Sequence, residues 1–232
     1  MADQKRYIVT GAAGNVGSAL TGLLAGRGHR VAAIDRDLAT LAARFAAWPA
    51  VLPLAVADLS DPAAAGAVVG QAASAFGGLD GVAATVGIFD MASVAESGPD
   101  LWQRMLKINV LTALNVFAPA LPHLRAGGGG GLVAISAGAA LRAPAGMSAY
   151  AAAKSAVLRL VESLAEEAKA DRIRVNAVLP GTIDTPQNRA AMPGADPARW
   201  VTPAQVAEVM AFLLSDAAGG VTGAAVGVPG LG

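Results

Sequence analysis

Seven short apolar runs, each separated from the next by a longer alanine-rich stretch, govern what this chain can fold into. They fall at 7–10, 30–35, 51–57, 81–86, 132–136, 174–179 and 224–228. Apolar runs of this length, without polar alternation, read as strands buried on both faces. The stretches near 15–27, 37–47, 61–76, 99–125, 148–170 and 203–215 carry helical patterning instead. Strict alternation of strand and helix makes every connection a crossover, so the strands run parallel and helices cover both faces of the sheet. No linker or fixed-period repeat divides the chain, which is read as one domain over residues 1–232.

The expectation is therefore an α/β protein with a doubly wound parallel seven-stranded sheet of the Rossmann type. Its 17 basic and 17 acidic residues balance, so no net field draws the chain to nucleic acid or to an anionic membrane. There is no cysteine, which removes disulfides, thiolate nucleophiles and zinc–cysteine sites. His29 and His123 are too few for a histidine-rich metal centre, and no metal is expected. His123 reads as a helix C-terminal dipole partner. No uninterrupted apolar run approaches the roughly 20 residues that cross a bilayer, and the first residues lack a signal-peptide core, so the cytoplasm is the default compartment. The glycines at 127–131 read as a surface loop rather than a phosphate cradle, because no helix starts after them.

The turn after the first apolar run does have a helix behind it. Gly11, Gly14 and Gly17 allow a tight turn, close backbone approach to a pyrophosphate, and helix–strand contact. The N–H groups of Asn15 and Val16 open that helix, where its positive end favours phosphate. Asp35 closes the second strand, where a carboxylate can accept both adenosine ribose hydroxyls and repel a 2′-phosphate. Arg36 follows it and could instead clamp that phosphate. NAD is thereby favoured over NADP. Asp58 and Leu59, at the end of the third strand, are candidates for the adenine edge; Asp58 could equally cap a helix beginning near Asp61 and Pro62.

Tyr150 and Lys154 stand four residues apart in a helical pattern, on one face. A neighbouring cation favours an ionised phenol, the route by which a tyrosine becomes an acid/base near neutrality. Asn109 is a poor helix former inside a long helical stretch, and misplaced polarity there points to function.

With the glycine turn, Asp35, Asp58-Leu59, Asn109, Tyr150 and Lys154 in this order, the chain resembles the short-chain dehydrogenase/reductase family along essentially its whole length. Further matches are the run 175–181 followed by Thr185, and Val221-Thr222-Gly223 before the last strand. The resemblance implies an NAD(P)-dependent oxidoreductase. Tyr150 would be the general acid/base, and Lys154 would bind the nicotinamide ribose and lower the tyrosine pKa. Asn109 would bend its helix and hold a water leading to solvent. Pro180, Gly181, Ile183 (through its backbone) and Thr185 (through its hydroxyl) would meet the carboxamide, with Ala84 and Gly87 beside the cofactor.

Three departures from the family pattern stand out. Asn15 occupies a usual glycine position, and Ala84-Thr85-Val86-Gly87 replaces an asparagine-rich motif. The serine that usually lies thirteen residues before the tyrosine is Ala137, with Ser136 one place earlier. A one-residue shift on a strand reverses the face, so Ser136 reaches substrate only through a bulge, and otherwise bonds neighbouring backbone. This substitution, with the residues before Tyr150, is similar to the dihydropteridine reductase-like subgroup, which offers a quinonoid-substrate alternative. A non-catalytic NAD(P)-sensing regulator is a second alternative, opposed by the tyrosine–lysine pair.

Ile88, Phe89 and Met147 could form one apolar wall of a substrate pocket, with Arg189, Met192 and Trp200 as a short lid, suiting a small carbonyl or imine. By resemblance the protein would be a homotetramer or homodimer. It would pair the helices near 99–125 and 148–170 through small residues at Ala149, Ala151, Ala152 and Ala156.

Overall fold

The computed structural model describes residues 4–231. Seven parallel strands form one sheet in the order β3-β2-β1-β4-β5-β6-β7. They are β1 (Arg6–Thr10), β2 (Arg30–Asp35), β3 (Val51–Ala55), β4 (Gly81–Ala84), β5 (Gly130–Ile135), β6 (Ile173–Pro180) and β7 (Ala225–Val228). The helices are α1 (Asn15–Gly26), α2 (Leu38–Arg44), α3 (Pro62–Phe76), α4 (Pro99–Leu106), α5 (Thr112–Ala126), α6 (Ser148–Glu167), α7 (Pro186–Ala191) and α8 (Pro203–Leu214).

Side-chain alternation along β1 divides the core. Ile8 faces a cluster supplied by α3, α5 and α6. Tyr7 and Val9 face the opposite cluster, supplied by α1, α2 and α8. The sheet reverses its winding at β1, which lies between β2 and β4. In such sheets the ligand crevice opens beyond the carboxyl ends of the strands at that reversal.

The apolar pattern locates every strand, and three bounds differ by two residues. β3 and β4 stop two residues short of the apolar runs, because the chain leaves the sheet there to wall the crevice. β5 starts at Gly130, so the glycine loop is only 127–129. Gly131 N–H already donates to the Asp80 carbonyl, and a Cβ on Gly130 would sit 2.5 Å from that same carbonyl oxygen. Only glycine lets the strand begin so close to its neighbour.

The helix expected over 99–125 is interrupted by a π turn at Lys107–Leu111. The whole segment, Pro99–Ala126, is long and apolar enough to cross a membrane. Here Met105, Val116, Phe117, Ala120 and Leu124 are buried inside the protein and give the segment one face that packs into the core. Helix α7 was not anticipated: its six residues include three polar ones, and its signal is only Thr185 as N-cap before Pro186.

The glycine turn is tight enough to exclude side chains. Gly11 adopts φ +67°, and a Cβ on Gly17 would lie 2.2 Å from the Gly11 carbonyl oxygen. Gly17→Ala should therefore lower stability by about 2 kcal/mol or more and weaken dinucleotide binding. A melting temperature equal to wild type would contradict this contact.

Candidate active site

The crevice begins at the N-terminus of α1. Gly14 is its N-cap and no side chain caps it, so the first turn offers its amides outward. Gly11, Gly14, Asn15, Val16 and Gly17 line this part of the crevice. Asn15, the residue in the usual glycine position, donates from its amide to Gln187 Oε1 at 3.2 Å and ties the turn to α7. Thr85 supplies a contact the sequence reading missed. Its hydroxyl donates to Thr10 O at 2.7 Å, and it crowds the Cβ positions of both Gly11 and Gly17 at 2.9 Å. It thus holds the turn against β4.

Toward the adenosine end, Asp35, Arg36, Ala57, Asp58, Leu59, Val86 and Thr112 line one continuous cavity. Asp35 Oδ2 accepts from Ala13 N–H at 2.9 Å, and Oδ1 from Arg36 N–H at 2.7 Å. The carboxylate is thereby fixed on the loop it would serve. Arg36 is exposed. The cap of α3 is Asp61, not Asp58. Asp58 instead accepts from the Ser60 amide and hydroxyl at 2.8 and 2.6 Å, and lies 3.3 Å from Lys107 Nζ. Those hydrogen bonds hold the Asp58 carboxyl below its usual range.

At the other end, Tyr150, Lys154, Gly87, Phe89, Ile135, Ala137, Pro180, Gly181, Ile183 and Thr185 line the crevice together. Ala84, expected beside the cofactor, is instead buried at the end of β4 and does not line the crevice; Gly87, three residues on, does. Lys154 is 3% exposed, and its Nζ donates to Ile135 O at 3.3 Å. Asn109 is buried in the π turn. Its Oδ1 accepts from Ile88 N–H at 3.1 Å, while Nδ2 donates to Ile88 O and Met105 O at 3.1 and 3.0 Å. A Cβ on Gly87 would sit 2.9 Å from Asn109 Oδ1 and 3.0 Å from Lys154 Nζ. That glycine therefore lets the β4 chain, the asparagine and the lysine converge.

Packing decides two expectations. Ser136 borders the crevice with Ile135 and Ala137, but its hydroxyl takes the second of the two readings left open: Oγ donates to the Lys154 backbone carbonyl at 2.9 Å and is buried. No bulge intervenes. Ser136 N–H keeps the sheet-like bond to Val178 O, and Ala137 is extended at φ −161° and ψ 157°. The one-residue shift therefore turns the hydroxyl toward α6 and leaves only a methyl at position 137. Second, burial and not the lysine charge dominates Tyr150, whose hydroxyl is pushed up to about 12. Lys154 Nζ stands 5.8 Å from the ring centroid, and its own burial lowers it to about 8. Each group is held in its neutral form more firmly than in water.

The loop after β6 is organised by two residues. Thr185 Oγ accepts from Asn188 N–H at 3.1 Å, and Asn188 Nδ2 donates to Ile183 O at 2.8 Å. Asn188 was not anticipated; it sits on the short helix that the sequence concealed. Phe89 stands edge-on to Tyr150, with ring centroids 4.9 Å apart. Arg189 makes a two-point pair with Asp184, so it is a brace within its own loop. His123 lies in the last turn of α5, away from the residues that line the crevice. Among the described residues, no cluster of three or more metal-ligating side chains exists.

Comparison with known proteins agrees with this geometry. Residues 11–230 match the family profile described as Enoyl-(Acyl carrier protein) reductase. The cis-4-hydroxycyclohexanecarboxylate dehydrogenase of Sinomonas cyclohexanicum is 37% identical, covering 96% of this chain and 94% of its own length. The 2-(S)-hydroxypropyl-CoM dehydrogenase 3 of Xanthobacter autotrophicus is 32% identical, over 96% of this chain and 94% of its own. A solved short-chain type dehydrogenase/reductase from Mycobacterium ulcerans superimposes with a TM-score of 0.93 at 28% identity, covering all of this chain and 90% of that one.

Two substitutions test the site's energetics. Between pH about 8 and the ordinary lysine range, the unfolded chain holds a proton on Lys154 that the folded chain has released. Stability therefore rises with pH through that window, and below it the fold carries the whole cost of a buried charge. Lys154→Met should raise stability at pH 7 by about 2 kcal/mol, after allowing for the lost bond to Ile135, with the gain shrinking toward pH 10. A destabilised variant at pH 7 would contradict the burial argument. Ser136→Ala should cost about 1 kcal/mol of stability and change turnover by no more than a few-fold; a turnover loss near a hundredfold would place its hydroxyl on the substrate.

Proposed function

The chain belongs to the short-chain dehydrogenase/reductase family and is an oxidoreductase, and from that premise we propose that it interconverts a small, largely apolar alcohol and its carbonyl with Tyr150 as general acid/base. The observation that carries this reading is the convergence of Tyr150, Lys154 and Gly87 in one crevice with the uncapped N-terminus of α1, with Asn109 buried directly behind Gly87.

The crevice fits a nicotinamide dinucleotide. The glycine turn packs so closely on itself and on Thr85 that no Cβ fits at Gly11 or Gly17, and no side chain caps the first amides of α1. The α1 amides suit its phosphates, Asp35 its adenosine ribose, Asp58 and Leu59 its adenine, Lys154 its other ribose, and Ile183 and Thr185 its carboxamide. When bound, that cofactor supplies or takes up the hydride. A carboxylate fixed at position 35 favours NAD over NADP, and Arg36 is the residue that would serve NADP.

With its hydroxyl pushed up to about 12, Tyr150 stays protonated across the neutral range and is ready to donate to a carbonyl oxygen during reduction. Lys154 lies beneath it as the group through which the proton is replaced. Asn109 fixes the backbone of Ile88 against both. Ala137 places no second hydroxyl on the substrate oxygen, so Tyr150 acts with less assistance than the family pattern provides.

Phe89, Met91, Leu141 and Met192 are exposed at 53%, 52%, 72% and 38% on the segments bordering the crevice. Two nearby arginines are neutralised, Arg104 by Asp90 and Arg189 by Asp184. These features favour a compact apolar body, and the alicyclic hydroxy acid named for one relative is of that kind. A quinonoid, dihydropteridine-type substrate is the second reading, favoured by the missing serine.

We place the enzyme in the cytoplasm as a homotetramer. Leu106, Leu111 and Leu114 are 41%, 40% and 39% exposed on the helices that would pair. Ala152 and Ala156 are partly exposed and free to join them, whereas Ala149 and Ala151 are buried within the protomer.

Oxidation of NADH and NADPH should be screened against ketones, aldehydes and quinones. The expected result is NADH-dependent turnover that Tyr150→Phe lowers roughly a thousandfold while cofactor binding persists. Normal turnover by that variant would overturn the assignment. Alcohol oxidation requires ionised Tyr150, so its kcat/KM should rise about tenfold per pH unit between pH 6 and 8, with carbonyl reduction nearly flat. An oxidation rate that has levelled off by pH 7 would contradict a raised tyrosine.

A further inference from the structure

One helical segment grips both ends of the crevice, and its second grip has no role in the chemistry above. Asn115 lies in α5, six residues beyond Asn109. Its Nδ2 donates to the carbonyls of Leu59 and Ser60 at 3.1 and 3.0 Å. These follow directly on Asp58, whose carboxylate is held by Ser60 from one side and by Lys107 from the other. Asp58 and Leu59 line the adenosine cavity, and Asn115 does not.

The π turn at Lys107–Leu111 makes the double grip possible. One residue inserted into a helix rotates everything beyond it by about 100°. Asn109 can thus face Ile88 at the nicotinamide end, while Asn115 faces the Leu59–Ser60 backbone at the other. Two backbone acceptors in the loop after β3 are satisfied by this one side chain.

We propose that Asn115 is a positioning residue that sets the adenosine-side wall of the cofactor site, so that it governs affinity for the adenosine half without entering the hydride step. This rests on the dinucleotide reading of the crevice. Asn115 acts through Asp58 and Leu59, and its removal should loosen that loop and leave Tyr150 and Lys154 in place.

The test compares NADH with reduced nicotinamide mononucleotide, which lacks the adenosine half. Asn115→Leu keeps the volume and removes the amide; Asn115→Ser is a smaller change at a half-buried position and serves if the leucine variant folds poorly. For either, KM for NADH and Kd for ADP-ribose should rise about tenfold with kcat within twofold, and kcat/KM for the mononucleotide should match wild type. Unchanged NADH and ADP-ribose values, or an equal loss with both cofactors, would overturn the proposal. If the wild-type protein binds neither NADH nor NADPH by calorimetry, the dinucleotide reading itself fails, a result separate from any effect of the variants.

Discussion

A lysine ammonium shut inside the protein, with no carboxylate paired to it among the described residues, is the constraint on which the site is built. Lys154 is 3% exposed and its burial lowers it to about 8. A buried cation of this kind costs the fold stability unless neighbouring dipoles receive it. Here the Ile135 carbonyl receives it, while the oxygen of Asn109 lies on the other side of the space that a Gly87 side chain would fill. Each of these requires something further. Asn109 can present that oxygen only because the π turn carries it to Ile88, and Gly87 is required because a methyl would collide with both partners.

The same helical segment then links the two ends of the crevice. Lys107, Asn109 and Asn115 lie within one turn-and-helix segment and touch, respectively, Asp58, Ile88 and the Leu59–Ser60 backbone. The crevice is thus framed by the sheet below and one helical segment along its side. Family membership accounts for the tyrosine and lysine. It does not account for Ala137, and the apolar mouth around Phe89 and Met91 matches a site in which the substrate is held by surface contact more than by hydrogen bonds to its oxygen.

What could be read from the sequence follows the periodicity. Strands buried on both faces leave continuous apolar runs, so all seven were placed, along with the glycine turn and its acid at Asp35. One inserted residue leaves no compositional trace, so the run over 99–125 reads as a single helix, and only the bend at Asn109 that the family resemblance implies points to the π turn there. Asn109 is legible from its misplaced polarity; Asn115 carries the same signal but belongs to no familiar motif. The shift from Ala137 to Ser136 was visible, but its outcome depended on whether β5 bulges. The direction of the Tyr150 shift was misread because spacing shows that a cation is near, while only packing shows how deeply both groups lie.

The most direct test of this account is the titration of Lys154 itself, observed as the 13C shift of its ε-carbon by NMR and assigned with the Lys154→Met variant. Burial without a carboxylate partner predicts a midpoint about 8. A midpoint in the ordinary lysine range, near 10.4, would show a solvated or paired ammonium and contradict the packing of Lys154 beneath Tyr150 on which the site depends.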